Sequence, residues 1–415
     1  MSDQKLELSS GLSADTSLRR PGYPLRIASS DPIPFNQPYQ SGDEARYIEA
    51  ALTNGVLGGN GPFGQRCEVE LERMTGAGRV LLTTSCTSAL EMAAMLLDVG
   101  PGDEVILPSY TFVTTATAFA RTGATPIFVD VREDTLNLDE SLLEQAISWR
   151  TKAIAPVHYA GVGCDMAAIG AIASSHGLAV VEDAAQGVMS DIGGKALGTF
   201  GALAAVSFHE TKNLSCGEGG ALFVNDDDMV ERGEILREKG TNRAQFFRGA
   251  VDKYTWVDVG SSYVLSDLNA AYLWAQIEHA HAITARRLEI WERYHRGLAD
   301  SEREGLLRRP VVPDGHQHNA HMYYVVLPTA QQRDRLLTSL RARDIAAVFH
   351  YVPLHSSPAG SRLGRAVGAM TVTDDLSARL VRLPLFTSMT DDQCDRVVEA
   401  VLAELKTSSH AGELC

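Results

Sequence analysis

The chain has 415 residues, 45% of them hydrophobic and 21% charged, so it can bury an extensive core and is expected to form two domains. Its formal net charge of -15 opposes long-range attraction of a phosphate backbone, which argues against a nucleic-acid-binding protein. An anionic ligand therefore has to be held by local arginines and backbone donors.

The cysteine pattern and the hydropathy pattern indicate a cytoplasmic protein without a membrane partner. The six cysteines are scattered and form no CxxC pair, which favours reduced thiols over a disulfide framework or a zinc site. No run of about 18 apolar residues exists to span a bilayer, and the N-terminus lacks the apolar core of a signal peptide. Residues 1–32, rich in Ser, Asp and Arg, are predicted to be a flexible extension.

Short apolar runs alternate with helical stretches from residue 78 to about 225, a pattern typical of βαβ units around a mainly parallel sheet. A helix over 88–97 has apolar residues at helical spacing and ends before the Gly-Pro-Gly sequence at 100–102. Strands are predicted at 80–82, 105–107, 125–131, 153–157, 178–182, 202–208 and 221–224. These elements predict a doubly wound α/β domain with a large mixed sheet over residues 33–285.

A different pattern follows a long helix predicted near residues 266–298. It predicts a strand at 323–327, a helix at 330–343, strands at 346–351 and 380–383, and a helix at 391–406. We interpret residues 286–415 as a smaller α+β domain.

Lys212 is the most informative residue of the chain. It lies between an apolar strand, residues 202–206, and a glycine-rich turn at 217–220, and it follows Asp183 by 29 residues. An enzyme that uses pyridoxal 5'-phosphate (PLP) needs such a lysine to form a Schiff base with the cofactor aldehyde, and a carboxylate to keep the pyridine nitrogen protonated. Alternation along the strand before Asp183 predicts that Glu182 points away from such a site.

A helix N-terminus after the first strand is a candidate for binding the cofactor phosphate. Thr84-Ser85-Cys86-Thr87 lies between that strand and the following helix, where free backbone N–H groups and the helix dipole favour an anion. A simple N-cap is the alternative interpretation.

Two further motifs are weaker. Residues 59–64 match GxGxxG, but they contain a proline and follow no strand, which argues against a dinucleotide site. His316, His318 and His321 lie in a polar loop without Cys or carboxylate support, so we predict no metal site.

Three segments resemble the DegT/DnrJ/EryC1/StrS family of nucleotide-sugar aminotransferases. They are SFHETKN…GEGG around Lys212, VEDAAQ around Asp183, and PSYTF at 108–112. The stretches 208–221, 237–249 and 252–278 are similar to a narrower subfamily of TDP-4-keto-6-deoxy-D-glucose 4-aminotransferases. The resemblance covers about residues 33–405. It implies a PLP-dependent transferase of fold type I, in which sites are built from two subunits, so a homodimer is the minimum expected assembly.

The resemblance also implies roles in cofactor binding. The phosphate is expected on Ser85, Cys86, Thr87 and Ser207, although relatives commonly carry Gly at the position of Cys86. Phe112 is expected to stack on the pyridine ring, Asp183 to pair with its nitrogen, and Gln186 to lie near its hydroxyl. Ser262, where many relatives have Asn, is expected to reach the phosphate in the neighbouring subunit. Each of these has a plainer structural interpretation: a core aromatic for Phe112, for example, or a strand-end serine for Ser207.

On the substrate side, the resemblance points to the loop with Asn242 and Arg243 and to the segment with His350 and Tyr351. It implies transfer of an amino group from L-glutamate to C4 of TDP-4-keto-6-deoxy-D-glucose. Alternatives are another nucleotide-sugar 3- or 4-aminotransferase, a PLP-dependent sugar dehydratase, and a cofactor-free binding protein. A dehydratase would carry histidine in place of Lys212, and a binding protein would be expected to lose Lys212 or Asp183. The sequence leaves the configuration of the product amine open.

Overall fold

A computed structural model describes residues 32–412, so most of the predicted N-terminal extension, residues 1–31, lies outside the described residues. Its strands are β1 Arg79–Thr83, β2 Glu104–Pro108, β3 Thr125–Val129, β4 Thr151–Ile154, β5 Ala179–Asp183, β6 Asp191–Ile192, β7 Lys195–Ala196, β8 Leu203–Ser207, β9 Gly220–Val224, β10 His316–Gln317, β11 Tyr323–Val326, β12 Arg365–Ala366 and β13 Leu380–Leu383.

The α-helices are α1 Glu44–Asn54, α2 Pro62–Thr75, α3 Cys86–Leu96, α4 Val113–Ala120, α5 Leu143–Ala146, α6 Met166–His176, α7 Val230–Arg237, α8 Arg243–Phe247, α9 Asp267–Glu278, α10 Ala280–Gly297, α11 Ala299–Arg303, α12 Ala330–Ala342, α13 Gly360–Leu363, α14 Thr371–Arg379 and α15 Asp391–Gly412. None of the helices within residues 32–412 combines the length and the apolar character that crossing a membrane requires.

Eight strands form a mixed sheet in the order β1-β9-β8-β5-β4-β2-β3-β12. The strands β8, β5, β4, β2, β3 and β12 pair in parallel, while β9 is antiparallel to both of its neighbours, β1 and β8. Because β1 and β8 are both antiparallel to β9, they run in the same direction as the parallel strands. The carboxyl ends of β1, β2, β4, β5 and β8 therefore meet at one edge of the sheet.

Helices cover both faces of this sheet, as the doubly wound prediction requires. Along β9, Leu222 and Val224 pack into a core with α3, α4 and α7, whereas Ala221 and Phe223 pack into a second core with α2 and α9. The sequences of these strands are continuous apolar runs because both faces of the sheet are buried. All seven strands predicted between residues 78 and 225 are present, with ends that differ by a few residues.

The remaining strands form smaller sheets. The strands β11 and β13 pair in antiparallel fashion and share a core with α10, α12 and α15. The helix α10 spans the predicted domain boundary at 285/286, and β12, from the C-terminal part of the chain, joins the large sheet. The boundary therefore stays a prediction.

Two predicted elements differ in the structure. The single helix expected near 266–298 is divided at His279, whose backbone (φ -104°, ψ 8°) leaves the helical region. The strand expected at 346–351 is absent, because the segment pairs only through single bridges, Ile345 with Ile33 and Val348 with Arg382. The apolar side chains of Phe349 and Val352 are exposed instead of packed, so this segment has no core that would hold it as a strand.

A buried hydrogen-bond network around Glu182 holds the end of β5. The Glu182 carboxylate accepts hydrogen bonds from His158 Nε2 (2.8 Å) and from the backbone N–H groups of Gly198, Phe200 and Gly201 (2.7–2.9 Å). Nδ1 of His158 accepts a hydrogen bond from the Cys164 N–H, so Nε2 carries the proton that is donated to Glu182. Burial alone would raise the pKa of Glu182, but these donors outweigh burial and lower the pKa.

Glu182→Gln should lower the free energy of unfolding by about 3 kcal/mol, because an amide NH2 would face N–H donors in a buried site. Since the folded-state pKa of Glu182 is lowered, its stabilisation is present above the ordinary carboxyl pKa and is lost as pH falls; the variant should lack this acid dependence. Thermal unfolding from about pH 2 to about pH 8 measures both effects. The matched control is Glu144→Gln, which removes an exposed carboxylate paired with His176 and should cost less than about 0.5 kcal/mol. Equal effects of the two substitutions would contradict this account.

Candidate active site

A cavity of about 560 Å³ opens at the carboxyl edge of the large sheet. Its wall combines the ends of β5 and β8, the N-terminus of α3, the turn after β8, and residues from the C-terminal third of the chain. Ligand sites of open α/β sheets lie at this edge, so the position agrees with the topology. Among the sequence-predicted site residues, the cavity is lined by Ser85, Cys86, Thr87, Phe112, Asp183, Gln186, Ser207, Lys212, His350 and Tyr351.

The N-terminus of α3 presents free backbone donors to the cavity. Ser85 is the N-cap, and its Oγ accepts a hydrogen bond from the Ser88 N–H at 3.1 Å. Within residues 32–412, the N–H groups of Cys86 and Thr87 have no acceptor. A Cβ added to Gly220, at the start of β9, would lie 2.4 Å from Cys86 N, so the close approach of β9 to this turn requires glycine. Free N–H groups at a helix N-terminus suit a phosphate group, and we call the turn formed by Cys86 and Thr87 beside Gly220 the phosphate cradle.

Lys212 lies in the turn that follows β8, where its backbone N–H donates to the His209 carbonyl at 2.9 Å. Its Nζ has no hydrogen bond or ion pair with any residue of the described range 32–412. Burial lowers the pKa of Lys212, and Arg382 lowers it further, while Cys86 and Asp183 act in the opposite direction. A buried amine with a lowered pKa has a larger neutral fraction, which is the nucleophilic form.

Asp183 is the last residue of β5 and is almost fully buried. Oδ2 accepts a hydrogen bond from Thr115 Oγ1 at 2.7 Å, and Oδ1 accepts one from the Ala185 N–H at 3.1 Å. The neighbouring Glu182 points to the opposite side, as strand alternation predicts. A carboxylate fixed in this way faces the cavity with capacity for a further donor.

Four predicted residues, Gln186, Phe112, His350 and Tyr351, line the same cavity as Asp183. Gln186 is clamped, since its Oε1 accepts from the Ala160 N–H at 2.7 Å and its Nε2 donates to the Tyr351 hydroxyl at 3.2 Å. The ring of Phe112 lies 6.2 Å from that of Tyr351 and is 54% exposed, so it leaves a face free for a flat ligand. His350 Nδ1 contacts the Tyr159 hydroxyl at 3.0 Å, and burial holds the pKa of His350 well below its usual range.

Three predicted residues lie outside this cavity. Asn242 uses its Oδ1 to accept from the Thr255 N–H at 2.7 Å, and Arg243 lies over the Phe247 ring at 5.0 Å. Ser262 is exposed and forms a single backbone bridge with Glu238. None of the three contacts the cavity within this chain.

The structure also adds cavity residues that the sequence analysis missed, namely Arg287, His321 and Arg382. His321 is the third histidine of the loop considered for metal binding, but the histidines diverge: His318 packs edge-on against Trp291, while His321 enters the cavity. Burial, Lys212 and Arg382 hold the pKa of His321 well below its usual range, so its ring is neutral. The one sequence signal for Arg382 was a charge inside the apolar strand 380–383.

The glycines of the 59–64 motif have a packing role. A Cβ added to Gly59 would lie 1.8 Å from a Val264 methyl group, and one added to Gly61 would lie 2.3 Å from the Asp267 carboxyl carbon. These glycines therefore allow the start of α2 to approach the start of α9.

Together, a phosphate cradle, an unpaired lysine amine and a fixed carboxylate at one edge of an α/β sheet fit PLP. The cofactor needs an amine that reacts with its aldehyde, which Lys212 can supply. It also needs an anion site for its phosphate, at the N-terminus of α3, and a carboxylate for its protonated ring nitrogen, which Asp183 can supply. Fold and site thus define a PLP-dependent enzyme of fold type I.

Comparison with known proteins specifies the class. The sequence matches the model of the DegT/DnrJ/EryC1/StrS aminotransferase family over residues 38–402. It is 35% identical over 377 residues to the spore coat polysaccharide biosynthesis protein SpsC of Bacillus subtilis (strain 168), covering 89% of this chain and 96% of SpsC. The chain belongs to the DegT/DnrJ/EryC1/StrS aminotransferase family, and it is a PLP-dependent sugar aminotransferase.

Solved structures agree with this assignment. The aminotransferase TlmJ from Streptoalloteichus hindustanus superposes with a TM-score of 0.83 at 32% identity, over 91% of this chain and all of TlmJ. The protein Spr1654 from Streptococcus pneumoniae, in its pyridoxamine phosphate (PMP) form, superposes with a TM-score of 0.85 at 25% identity, over 92% of this chain and all of Spr1654.

Gly220→Ala should weaken cofactor binding at least about 10-fold, because the added methyl group would push β9 away from the phosphate cradle. Absorbance titration of the cofactor-depleted protein with PLP measures this, and circular dichroism verifies the fold. Gly170→Ala is the control, since a Cβ at Gly170 meets open space in α6. An unchanged PLP affinity in Gly220→Ala would show that the cradle does not bind the phosphate.

Proposed function

We propose that the protein transfers an amino group from L-glutamate to C4 of TDP-4-keto-6-deoxy-D-glucose and forms a TDP-4-amino-4,6-dideoxyhexose. The observation that carries the proposal is the unpaired Lys212 amine inside a cavity that also holds Arg287 and Arg382. A cavity with two arginine side chains suits substrates that bear carboxylate or phosphate groups. The identity of the sugar nucleotide rests on the resemblance of residues 208–221, 237–249 and 252–278 to the 4-aminotransferase subfamily.

Each cofactor contact is proposed for residues at the carboxyl edge of the sheet. The backbone N–H groups of Cys86 and Thr87, with the hydroxyls of Ser85 and Ser207, would bind the phosphate. Asp183 would pair with the ring nitrogen, and Gln186 and Phe112 would hold the ring. PLP supplies an aldehyde for the amine and a ring that withdraws electrons from the carbon next to the transferred nitrogen.

Lys212 is proposed as the catalytic base and acid. With the cofactor bound, its Nζ would take the proton from the α-carbon of the amino donor, and in the second half-reaction it would deliver a proton to C4 of the sugar. A lowered pKa suits this role because the amine has to exchange its proton near neutral pH. The hydroxyl of Thr115 donates to Asp183 and holds the carboxylate in position throughout.

Transamination is favoured over the other PLP-dependent reaction considered. A sugar dehydratase of this fold carries histidine at the position of Lys212, whereas this chain keeps the lysine. The histidine nearest to it in sequence, His209, is engaged elsewhere, because it hydrogen-bonds to Thr211 at 3.0 Å. The cytoplasmic location stays a prediction.

The active assembly is proposed to be a homodimer. Large apolar side chains between residues 247 and 259 are exposed, among them Phe247 (68%) and Trp256 (76%). A patch of this kind marks an interaction surface. It adjoins the loop with Asn242 and Arg243 and the segment with Ser262, which lie outside the cavity of their own chain. A second copy is the proposed occupant, with these residues completing the partner's site.

The test of the activity is a panel of TDP- and UDP-linked 3-keto and 4-keto sugars, each incubated with L-glutamate and the holoenzyme. We expect an amine at C4 of TDP-4-keto-6-deoxy-D-glucose, identified by NMR. Lys212→Ala should reduce the rate by about three orders of magnitude or more, because it removes both the covalent attachment and the proton carrier.

Lys195→Ala is the matched control, since Lys195 is an exposed lysine that lies over the Phe200 ring, and it should retain full activity. Amination of 3-keto sugars alone would overturn the proposed regiochemistry. Undiminished transfer by Lys212→Ala would overturn the mechanism.

Light scattering should give a mass near twice 44.8 kDa for the native protein. Trp256→Glu should shift the mass toward 44.8 kDa and lower activity, because it places a charge in the proposed interface. The control is Trp149→Glu, at a tryptophan that is 90% exposed elsewhere on the chain, and it should leave the dimer intact. A fully active monomer would refute the dimeric site.

A further inference from the structure

Arg382 is an arginine inside a buried strand. Its neighbours Val381 and Leu383 pack into the core with α10, α12 and α15, and Arg382 therefore points to the other side of β13, into the cavity. The backbone is fixed on both sides, by pairing with Tyr324 and by two hydrogen bonds with Val348 (2.8 and 3.1 Å). The position of the guanidinium is thus set by the sheet and not by a mobile loop.

This guanidinium has no counter-charge. Among residues 32–412, none accepts a hydrogen bond from it or forms an ion pair with it, and its Nε is fully buried without a partner. Its surroundings are aromatic: the Phe35 ring lies 4.9 Å away, and Tyr110, Tyr159 and Tyr351 interact with it electrostatically. Burial lowers the pKa of Arg382 and raises the pKa of Tyr351, so the hydroxyl provides no anion.

Other arginines nearby are occupied. Arg379, three residues earlier, pairs with Asp375 and donates to the Leu327 carbonyl at 2.8 Å. Arg287 lines the same cavity but donates to the carbonyls of Ala320 (3.1 Å) and His321 (2.7 Å). A buried cation without a partner is costly, and its retention in a cavity indicates that a ligand anion completes the site.

The ligand anion can be a carboxylate of the amino donor or the diphosphate of the sugar nucleotide. The phosphate of the cofactor has its own cradle at the N-terminus of α3, so it does not require Arg382. A donor has to present its α-carbon to Lys212, which brings its α-carboxylate, one bond away, into the same enclosed region. A planar guanidinium offers two parallel donors to a small planar carboxylate, whereas a diphosphate brings a bulky nucleotide with it.

We propose that Arg382 binds a carboxylate of the amino donor and orients the donor toward Lys212. The inference rests on the proposed transamination from an amino acid and adds the residue that selects the donor. In this role Arg382 is a binding residue, so its loss should change donor affinity more than the maximal rate of the first half-reaction.

The test compares holoenzymes of the wild type, Arg382→Met, Arg382→Lys and Arg293→Met. Arg293→Met is the matched control, because Arg293 pairs with Asp395 on the surface and lies away from the cavity. Calorimetry measures the affinity for glutarate, a dicarboxylate without an amine, and for TDP. Stopped-flow absorbance of the cofactor measures the dependence of the first half-reaction on L-glutamate.

We expect Arg382→Met to weaken glutarate and L-glutamate binding about 10-fold to 100-fold, with TDP affinity unchanged and with Arg382→Lys in between. Its melting temperature should equal or exceed that of the wild type, because an unpaired buried charge is removed. A purely structural role would instead lower the melting temperature and leave glutarate affinity unchanged.

Loss of TDP affinity with unchanged glutarate affinity would overturn the inference in favour of the sugar diphosphate. Absence of glutarate binding by the wild type would also overturn it. The sugar assignment fails separately: if no keto sugar is aminated but Arg382→Met still weakens glutarate and L-glutamate, the donor site stands and only the acceptor is wrong.

Discussion

The alignment of strand ends at one edge of the large sheet is the constraint on which the site depends. Asp183 ends β5, Ser207 ends β8, and the turn after β1 leads into the N-terminus of α3. The strands β5 and β8 pair in parallel, and β1 runs in the same direction because β9 lies antiparallel between β1 and β8. Since β9 begins at Gly220, beside the backbone of Cys86, the same strand sets both the direction of its neighbours and the shape of the phosphate cradle.

Two adjacent carboxylates at the end of β5 differ in the number of hydrogen bonds they accept, and therefore in their roles. Glu182 is saturated by donors from His158 and three backbone N–H groups, so it has no capacity left for a ligand. Asp183 has two donors and faces the cavity. Glu182 fixes the end of β5. Asp183 is thereby held in the place where a cationic ring nitrogen is proposed to bind.

Much of this arrangement could be predicted from the sequence because its signals are local. Apolar runs marked the strands, and the position of Lys212 between a strand and a glycine-rich turn marked the site. Contacts that join distant segments had no such signal: Thr115 reaches Asp183 across 68 residues, and Arg382 enters the cavity from a separate sheet. The loop with Asn242 and Arg243 lies outside the cavity of its own chain. Its proposed role depends on a second copy of the chain, whose position is not encoded in a local sequence pattern.

The strand predicted at 346–351 is absent for a reason connected with the site, which involves the segment 346–355. It is held at one end by the bridge of Val348 to Arg382, and at the other by hydrogen bonds from Leu354 and His355 to Ser109, just beyond the end of β2. Between these anchors its backbone leaves the sheet pattern, and His350 and Tyr351 line the cavity. An apolar run looks the same in the sequence whether its side chains pack into a core or line a ligand cavity. The two cases differ only in the tertiary contacts of the segment, which the run itself does not encode.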